Sequence, residues 1–261
     1  MADLPGRSPE SDLAVITCYF NPCGYASRKQ NFLRFAEGLT RQGIDFWTIE
    51  AVLPGQQPLT AAGHRVAHVV FPEADWLWQK ERLLNLLIRR LPPQFTKVAW
   101  VDCDLIFNND NWLRIASESL DTWPVIQLFD FVHYVGPDGT PMIWGGVTDH
   151  RASLASIATH FPERAPNFRI GAPGLAWAAR RSLLDAHGLY EKEIAGGGDA
   201  VFAAALYGWY DHRNITSGTV GMARSAQAYI ASVYRDVQSF VGYIPCSIRP
   251  RDRSRPSDSK A

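Results

Sequence analysis

The first sustained apolar run, Leu13-Ala-Val-Ile-Thr-Cys-Tyr-Phe20, has no charge and is rich in β-branched and aromatic side chains, the profile of a buried strand. Asn21-Pro22-Cys23-Gly24 punctuates its end. From about Ser27 the apolar positions move to helical spacing, at Phe32, Phe35, Ala36 and Leu39, until Gly43 stops the helix; Ile44 to Ile49 then reads as the next strand. A strand-helix-strand start of this kind predicts parallel pairing. After a loop through Pro54 to Gly63 the pattern predicts a short strand near Ala67 to Phe71. A helix follows from about Trp76 to Leu91, with Leu84, Leu87, Ile88 and Leu91 on one face, and Pro92-Pro93 ends it. Lys97-Val-Ala-Trp-Val101 has the composition of a central strand and runs directly into Asp102-Cys103-Asp104.

Further along, Trp123 to Tyr134 reads as strand, Pro137-Asp138-Gly139 as a turn, and Pro141 to Val147 as the returning arm of a hairpin. Gly174 to Ala179 is another strand, Arg181 to His187 a short helix closed by Gly188, and Asp199 to Tyr207 a helix entered through Gly196-Gly197-Gly198. No internal repeat is present. Residues 1–12 are rich in Pro, Gly, Ser and charge and read as a flexible leader, 13–248 as one domain, and 249–261, almost without apolar residues, as a disordered tail.

Composition narrows the function classes. At 261 residues the chain is long enough for a full apolar core. Its 26 Lys and Arg balance 26 Asp and Glu, so no basic field argues for nucleic acid, and a small molecule or glycan is the expected partner. The four cysteines lack the paired close spacing of a zinc site, and the N-terminus has no charged-then-apolar signal segment, which predicts a reducing, cytoplasmic setting. Charge interrupts every apolar run well before the ~18 residues of a membrane span, so no transmembrane segment is expected.

The candidate chemistry gathers at Asp102 and Asp104. Side chains two apart on an extended backbone point the same way, so both carboxylates can face one site at the C-terminal edge of a sheet, where open α/β sheets bind ligands. Carboxylates there suit a hard divalent ion, Mn²⁺ or Mg²⁺, that neutralises a diphosphate leaving group. The plainer alternative makes one Asp a turn cap and leaves the other solvated. Lys80, near the start of the preceding helix, can reach a phosphate or a base, or sit exposed in a helical pair with a neighbouring Glu; Asn85 adds a hydrogen bond or lies on the polar face. Three glycines ahead of Asp199 allow close approach of a ligand, with Gly197 and Gly198 as acceptor-side positions; Asp199 alternatively serves as a plain helix N-cap. Of the nine tryptophans, Trp144 and Trp209 are candidates for stacking on an acceptor sugar, against a core role for the rest. The seven histidines show no metal-ligand spacing.

Taken together, Trp78-Gln-Lys80-Glu81-Arg-Leu-Leu-Asn85, Pro92, Trp100-Val-Asp102-Cys-Asp104, Phe107, Trp112, Gly171 to Arg180, Gly188-Leu-Tyr190 and Gly196-Gly-Gly-Asp199 resemble a bacterial and viral family of glycosyltransferases with the GT-A fold. The resemblance covers roughly Ala14 to Pro245. It implies an α/β fold of the Rossmann-type nucleotide-diphospho-sugar transferase kind, with a mixed central sheet flanked by helices, and metal-dependent transfer from a nucleotide sugar to a hydroxyl acceptor. It further implies that Asp102 meets the ribose or the metal sphere, that Asp104 ligates the metal, that Tyr19, Asn21 and Arg28 stand in the donor loop, and that Asp199 is the catalytic base. The sequence departs from the family in lacking a His after His212, where a further metal ligand is expected beyond Val241-Gly-Tyr-Ile-Pro245; this predicts a relative altered at its C-terminus, with weakened metal binding. Two other readings stay open. One is a non-catalytic sugar-nucleotide or glycan-binding module. The other is a haloacid-dehalogenase-like phosphatase, disfavoured by Ile106 and by the late position of the triplet.

Overall fold

A computed structural model describes residues 12–61, 63–72, 77, 80–136, 140–144, 147–148, 150–165, 170–193, 196–210 and 220–250. Strand β1 (Leu13–Phe20) and helix α1 (Ala26–Arg41) follow the sequence pattern, and Gly43, at φ 70°, turns the chain into β2 (Phe46–Val52). Then come β3 (Val66–Val70), α2 (Lys80–Ile88), β4 (Lys97–Val101), β5 (Leu105–Phe107), α3 (Trp112–Thr122), β6 (Val125–Gln127) and β7 (Phe131–His133). The hairpin β8 (Ile143–Trp144) and β9 (Val147–Thr148) precedes β10 (His150–Ser153), α4 (Leu154–His160), β11 (Gly171–Ala172), β12 (Ala176–Arg180) and α5 (Arg181–His187). The chain continues through α6 (Gly198–Tyr207), α7 (Val220–Val237), β13 (Val241–Tyr243) and β14 (Ser247–Pro250).

Seven strands form the main sheet in the order β13-β6-β12-β4-β1-β2-β3. The β4-β1-β2-β3 portion is parallel, as the strand-helix-strand pattern predicts, and β12 runs antiparallel to both β4 and β6. The sheet is therefore mixed and central, with helices on both faces. Alternation along the strands feeds two cores. Ile16, Val98, Trp100 and Trp177 pack with α2, α6 and α7; Val15, Ala99, Val101 and Ala178 pack with α1, α3 and a second sheet, β11-β10-β7-β14-β5.

Three expectations change. Trp123 to Tyr134 is not one strand: β6 belongs to the main sheet and β7 to the second, and the chain crosses between them at Leu128 and Phe129, both fully buried. In the crossing, the Leu128 amide donates to the Ala176 carbonyl and the Asp130 amide to that of Cys246, so each end is satisfied in a different sheet. A run buried on every side has no period by which to place such a break. Arg249 and Pro250, read as tail from composition, belong to β14, which pairs with both β5 and β7. The strand after Gly174 begins at Ala176 and runs antiparallel. The Pro137-Asp138-Gly139 turn lies outside the described residues, though the Gly136 amide reaches the Thr140 carbonyl and the Met142 amide that of Tyr134, the flanks of a returning arm.

Two arginines beside each other tie helix ends to the sheet. Arg180 donates to the Leu120, Asp121 and Thr122 carbonyls at the end of α3. Arg181 donates to the carbonyls of Pro92 (2.7 Å) and Leu91 (3.0 Å) just past α2, satisfying acceptors that a helix end leaves open. Arg181→Ala is expected to cost about 2 kcal/mol in urea unfolding, because charged hydrogen bonds to partly buried carbonyls are lost. Arg41→Ala, which removes an exposed ion pair with Glu37, is expected to change stability by less than ~0.5 kcal/mol.

Candidate active site

Every residue of β4 is buried, and the strand delivers Asp102 to the C-terminal edge of its parallel neighbours. Its end is pinned from both sides: the Thr17 hydroxyl donates to the Val101 carbonyl (2.7 Å), and the Asp102 amide donates to the Leu175 carbonyl (2.8 Å). Leu175 itself takes a left-handed φ of 79° just before β12. Beyond Asp102 the chain does not stay extended. Cys103 and Asp104 form a turn that carries it into β5 of the second sheet, so the alternation argued for the two carboxylates does not hold, and the triplet marks the junction of the two sheets. Burial, with Asp104 and Cys18 nearby, pushes the Cys103 thiol well up; burial likewise raises Cys18 to about 12, so both stay protonated at neutral pH.

Lys80 is where the structure departs most from the sequence reading. It is neither an exposed helical partner nor a cation facing an open site: it is 7% exposed, on the same α2 face as Leu84 and Leu87. Its ammonium lies 2.7 Å from Asp102 Oδ1 and 3.1 and 3.0 Å from Asp199 Oδ1 and Oδ2. Burial opposes the charge, but Asp102 and then Asp199 overcome it and hold the group well above the ordinary lysine value.

Asp199 sits in the first turn of α6 rather than at its cap, which is Gly197 at φ 116°. Gly174 makes room for it, since a Cβ there would meet Asp199 Oδ2 at 2.5 Å. Gly198 leaves no room for a ligand on its Cα because the carboxyl group of Glu81 occupies that space. Glu81 is 5% exposed, and burial pushes its carboxyl up to about 7, with Lys80 pulling the other way and Asp199 adding to the rise.

The remaining candidates divide. Asn21 is committed within its own loop: its Oδ1 accepts from the Tyr25 amide and its Nδ2 donates to the Tyr25 carbonyl and the Tyr19 hydroxyl. Arg28 donates to the Phe20 carbonyl, and both it and Tyr19 lie within electrostatic reach of Cys103, which places this loop beside the triplet. Asn85 is buried rather than on a polar face; it holds the Leu189 amide and carbonyl and a Glu191 carboxylate oxygen. Trp209 stacks on Tyr207 at 4.7 Å past the far end of α6, on the order of 12 Å or more from Asp199 at ~1.5 Å per helical residue, so it does not join the cluster. The backbone of Trp144 lies in β8, and its side chain is outside the described residues.

Sequence reasoning missed Glu81, Gly174 and Glu50 as site-forming residues. Glu50, opposite Tyr19 on β2, is 3% exposed and accepts from the Leu59 and Thr60 amides and the Thr60 hydroxyl, holding the loop after β2 against the edge of the sheet. The signal for α2 was available: Lys80, Leu84, Leu87 and Leu91 fall at i, i+4, i+7 and i+11, and Glu81, Asn85 and Ile88 on the adjoining row, so both charges belong to the apolar side.

Among the described residues, no group of three or more His, Cys, Asp or Glu could hold a metal ion by itself. Two carboxylates beside a diphosphate do fit Mn²⁺ or Mg²⁺, which keep waters and phosphate oxygens in their shells instead of an all-protein cage. Two cavities lie elsewhere. One of about 530 Å³ is lined by Asn85, His187 and Tyr229, and one of about 720 Å³ by Lys97, Arg180 and Arg181; neither is lined by Asp102, Asp104 or Asp199. The walls of the first are already joined by Asn85 to Glu191, Lys192 to Ser225 and Tyr229 to Gly188, so the carboxylate cluster is the better seat of chemistry. No helix among the described residues is long and apolar enough to cross a membrane.

No protein-family model and no curated protein matches the chain. Solved structures do. The catalytic domain of Drosophila β1,4-galactosyltransferase 7, in complex with xylobiose, is similar at 15% identity and a TM-score of 0.39, over 94% of this chain and 66% of that one. Residues 1–349 of Staphylococcus aureus TarS, in complex with UDP-GlcNAc, are similar at 11% identity and 0.47, over 95% and 61%. Glucosyl-3-phosphoglycerate synthase from Mycobacterium tuberculosis, in complex with Mn²⁺, UDP and phosphoglyceric acid, is similar at 14% identity and 0.42, over 95% and 71%. The chain thus spans about two thirds of the length of these proteins. At such identities and scores the likeness says nothing of the chemistry, which this chain's own residues have to carry.

The Glu81 carboxyl gives this cluster a pH signature. Its folded value, about 7, lies above the ordinary 4.5, so between those two values the folded chain holds a proton that the unfolded chain has released. Its contribution to stability is full below 4.5 and is lost as pH rises towards 7, by on the order of 3 kcal/mol. Glu81→Gln, permanently neutral, is expected to gain stability relative to the parent between pH 5 and pH 8 in urea titrations. Equal pH dependence of the two proteins would contradict this account. Lys80→Met, which leaves Asp102 and Asp199 without their shared cation, is expected to lower stability by about 2–4 kcal/mol at pH 8.

Proposed function

We propose that this chain is a glycosyltransferase of the GT-A type, moving a sugar from a nucleotide-sugar donor to a hydroxyl acceptor with the help of Mn²⁺ or Mg²⁺. The observation that carries the reading is the Lys80 bridge, which sets Asp102, at the end of a central parallel strand, beside Asp199, in the first turn of α6. Two carboxylates with separate duties, drawn from distant parts of the chain, meet at the sheet edge where ligands of open α/β folds bind.

In this reading the donor diphosphate lies over the C-terminal ends of β1 and β4, with Tyr19, Asn21 and Arg28 framing the nucleotide. Asp102 and Asp104 would hold the divalent ion, which would supply charge neutralisation to the leaving diphosphate. Asp199 accepts the proton of the acceptor hydroxyl as its oxygen bonds to the anomeric carbon, the bond from that carbon to the diphosphate oxygen breaks, and the diphosphate departs with the electron pair. Lys80 keeps Asp199 oriented and separates two carboxylates that would otherwise repel across a small gap. Gly197 flanks the acceptor side; the space at Gly198 is taken by Glu81.

One observation favours a second reading, a sugar-nucleotide-binding module without turnover. Both oxygens of Asp199 already accept from Lys80, which leaves less of their lone-pair capacity for an acceptor hydroxyl. The two readings share a donor site and differ in turnover.

Calorimetric titration with a panel of nucleoside diphosphates and nucleotide sugars, with Mn²⁺ and with chelator, tests the donor site. Binding that requires the metal and is abolished in Asp104→Ala is the expected outcome, and a folded protein that binds no nucleotide under either condition refutes the proposal. Release of free sugar or diphosphate from the bound donor, lost by roughly 10²-fold or more in Asp199→Asn, separates the transferase from the binding module.

A further inference from the structure

Helix α2 does more than present Lys80. Its neighbouring row carries Glu81 and Asn85, four residues apart, both nearly inaccessible and both turned towards the segment that joins α5 to α6. Asn85 grips the start of that segment, with its amide group bonded to the Leu189 amide (2.8 Å) and carbonyl (2.8 Å) and to Glu191 Oε2 (2.9 Å). The far end is gripped twice, by Lys80 on the Asp199 carboxylate and by Glu81 beneath the Gly198 Cα. The glycine matters for its missing side chain: any Cβ would strike the carboxyl of Glu81. The N-terminal turn of α6 therefore lies directly on that carboxyl.

We infer that Glu81 is a positioning residue of the reaction proposed above, its carboxyl seated against Gly198 so as to fix the first turn of α6 and, with it, the Asp199 carboxylate that the turn carries. The inference rests on that reading for what Asp199 does, and on packing alone for what Glu81 does. Lys80 restrains the Asp199 carboxylate from one side, and Phe202 anchors the helix a turn further on; Glu81 adds a contact one residue before Asp199, at the start of the turn itself. The groups within electrostatic reach of Glu81 are consistent with a seat rather than a reacting group: Lys80, Asp199, Asp102, Cys18 and Tyr229 of α7, the last with its hydroxyl committed to the Gly188 carbonyl. Shape and a hydrogen-bonding end are what such a seat requires, and glutamine supplies both.

The test compares Glu81→Ala, Glu81→Gln and the parent by turnover of the nucleotide sugar identified calorimetrically, by Mn²⁺-dependent nucleoside diphosphate affinity, and by amide hydrogen exchange over residues 198–204. Glu81→Ala is expected to lower kcat by roughly 10–100-fold, the cost of a catalytic group displaced by about an ångström, with donor KM and diphosphate affinity within about twofold and faster exchange in the first turn of α6. Glu81→Gln is expected to restore kcat to within about threefold and exchange to the parental rate. An alanine variant with parental kcat and parental exchange overturns the proposal, as does one whose donor KM and kcat fall together while the glutamine variant fares no better. If the parent binds nucleotide but does not turn it over, the transferase reading fails; hydrogen exchange in the alanine variant still decides whether Glu81 holds the turn. Circular dichroism and thermal melts on each variant separate these outcomes from failure to fold.

Discussion

A lysine ammonium taken out of water at the start of α2 is a costly object, several kcal/mol in its own right, and it persists only because two carboxylates converge on it. That requirement organises the site. Asp102 comes from the end of β4, Asp199 from the first turn of α6, and Lys80 from between β3 and β4 in the chain, so satisfying one buried charge obliges three distant elements to meet. Removing any member leaves the others short of a partner, which makes the arrangement specific as well as stable.

The rest of the fold keeps those elements within reach. Helix α6 is apolar on all sides, Ala200 to Leu206 being buried throughout, so it packs deep against the sheet instead of lying across its surface. Trp100 of β4 and Trp177 of β12 both meet the ring of Phe202 edge-on, at 5.2 and 5.6 Å, fixing the helix over the strand that ends in Asp102. Gly174, in the loop before β12, lets the Asp199 carboxylate rest against backbone. A site built on helices and a central strand holds its geometry better than one built on loops alone.

The second sheet gives the triplet its other boundary. Because Cys103 and Asp104 turn the chain from β4 into β5, Asp104 stands where the main sheet hands over to β5, β14 and β7, while Asp102 remains with β1 and β12. The two carboxylates thus belong to different structural neighbourhoods, Asp102 beside Lys80 at the end of β4 and Asp104 at the turn into β5. The same clamp sets up the tension between catalysis and mere binding: what holds Asp199 in place also engages both of its oxygens.

Local pattern alone was enough to place β1, α1, β4 and α5, because each has a period or a β-branched run bounded by Gly or Pro. It also located Asp102 at a strand end and Asp199 at the start of a helix. Helices α3, α4 and α7 and strands β5, β10, β11, β13 and β14 were not drawn from it, although Ala226, Ile230, Val233 and Val237 repeat at helical spacing along α7. The second sheet was out of reach of local pattern, since strands of two to four residues owe their existence to partners far along the chain, as Ile248 does to Phe107. Lys80 makes the point in one residue. Its place on the apolar row of α2 is written in the sequence, but whether a buried ammonium there meets phosphate, water or carboxylate depends on which strand end and which helix turn the fold brings alongside, and no local pattern encodes that distance.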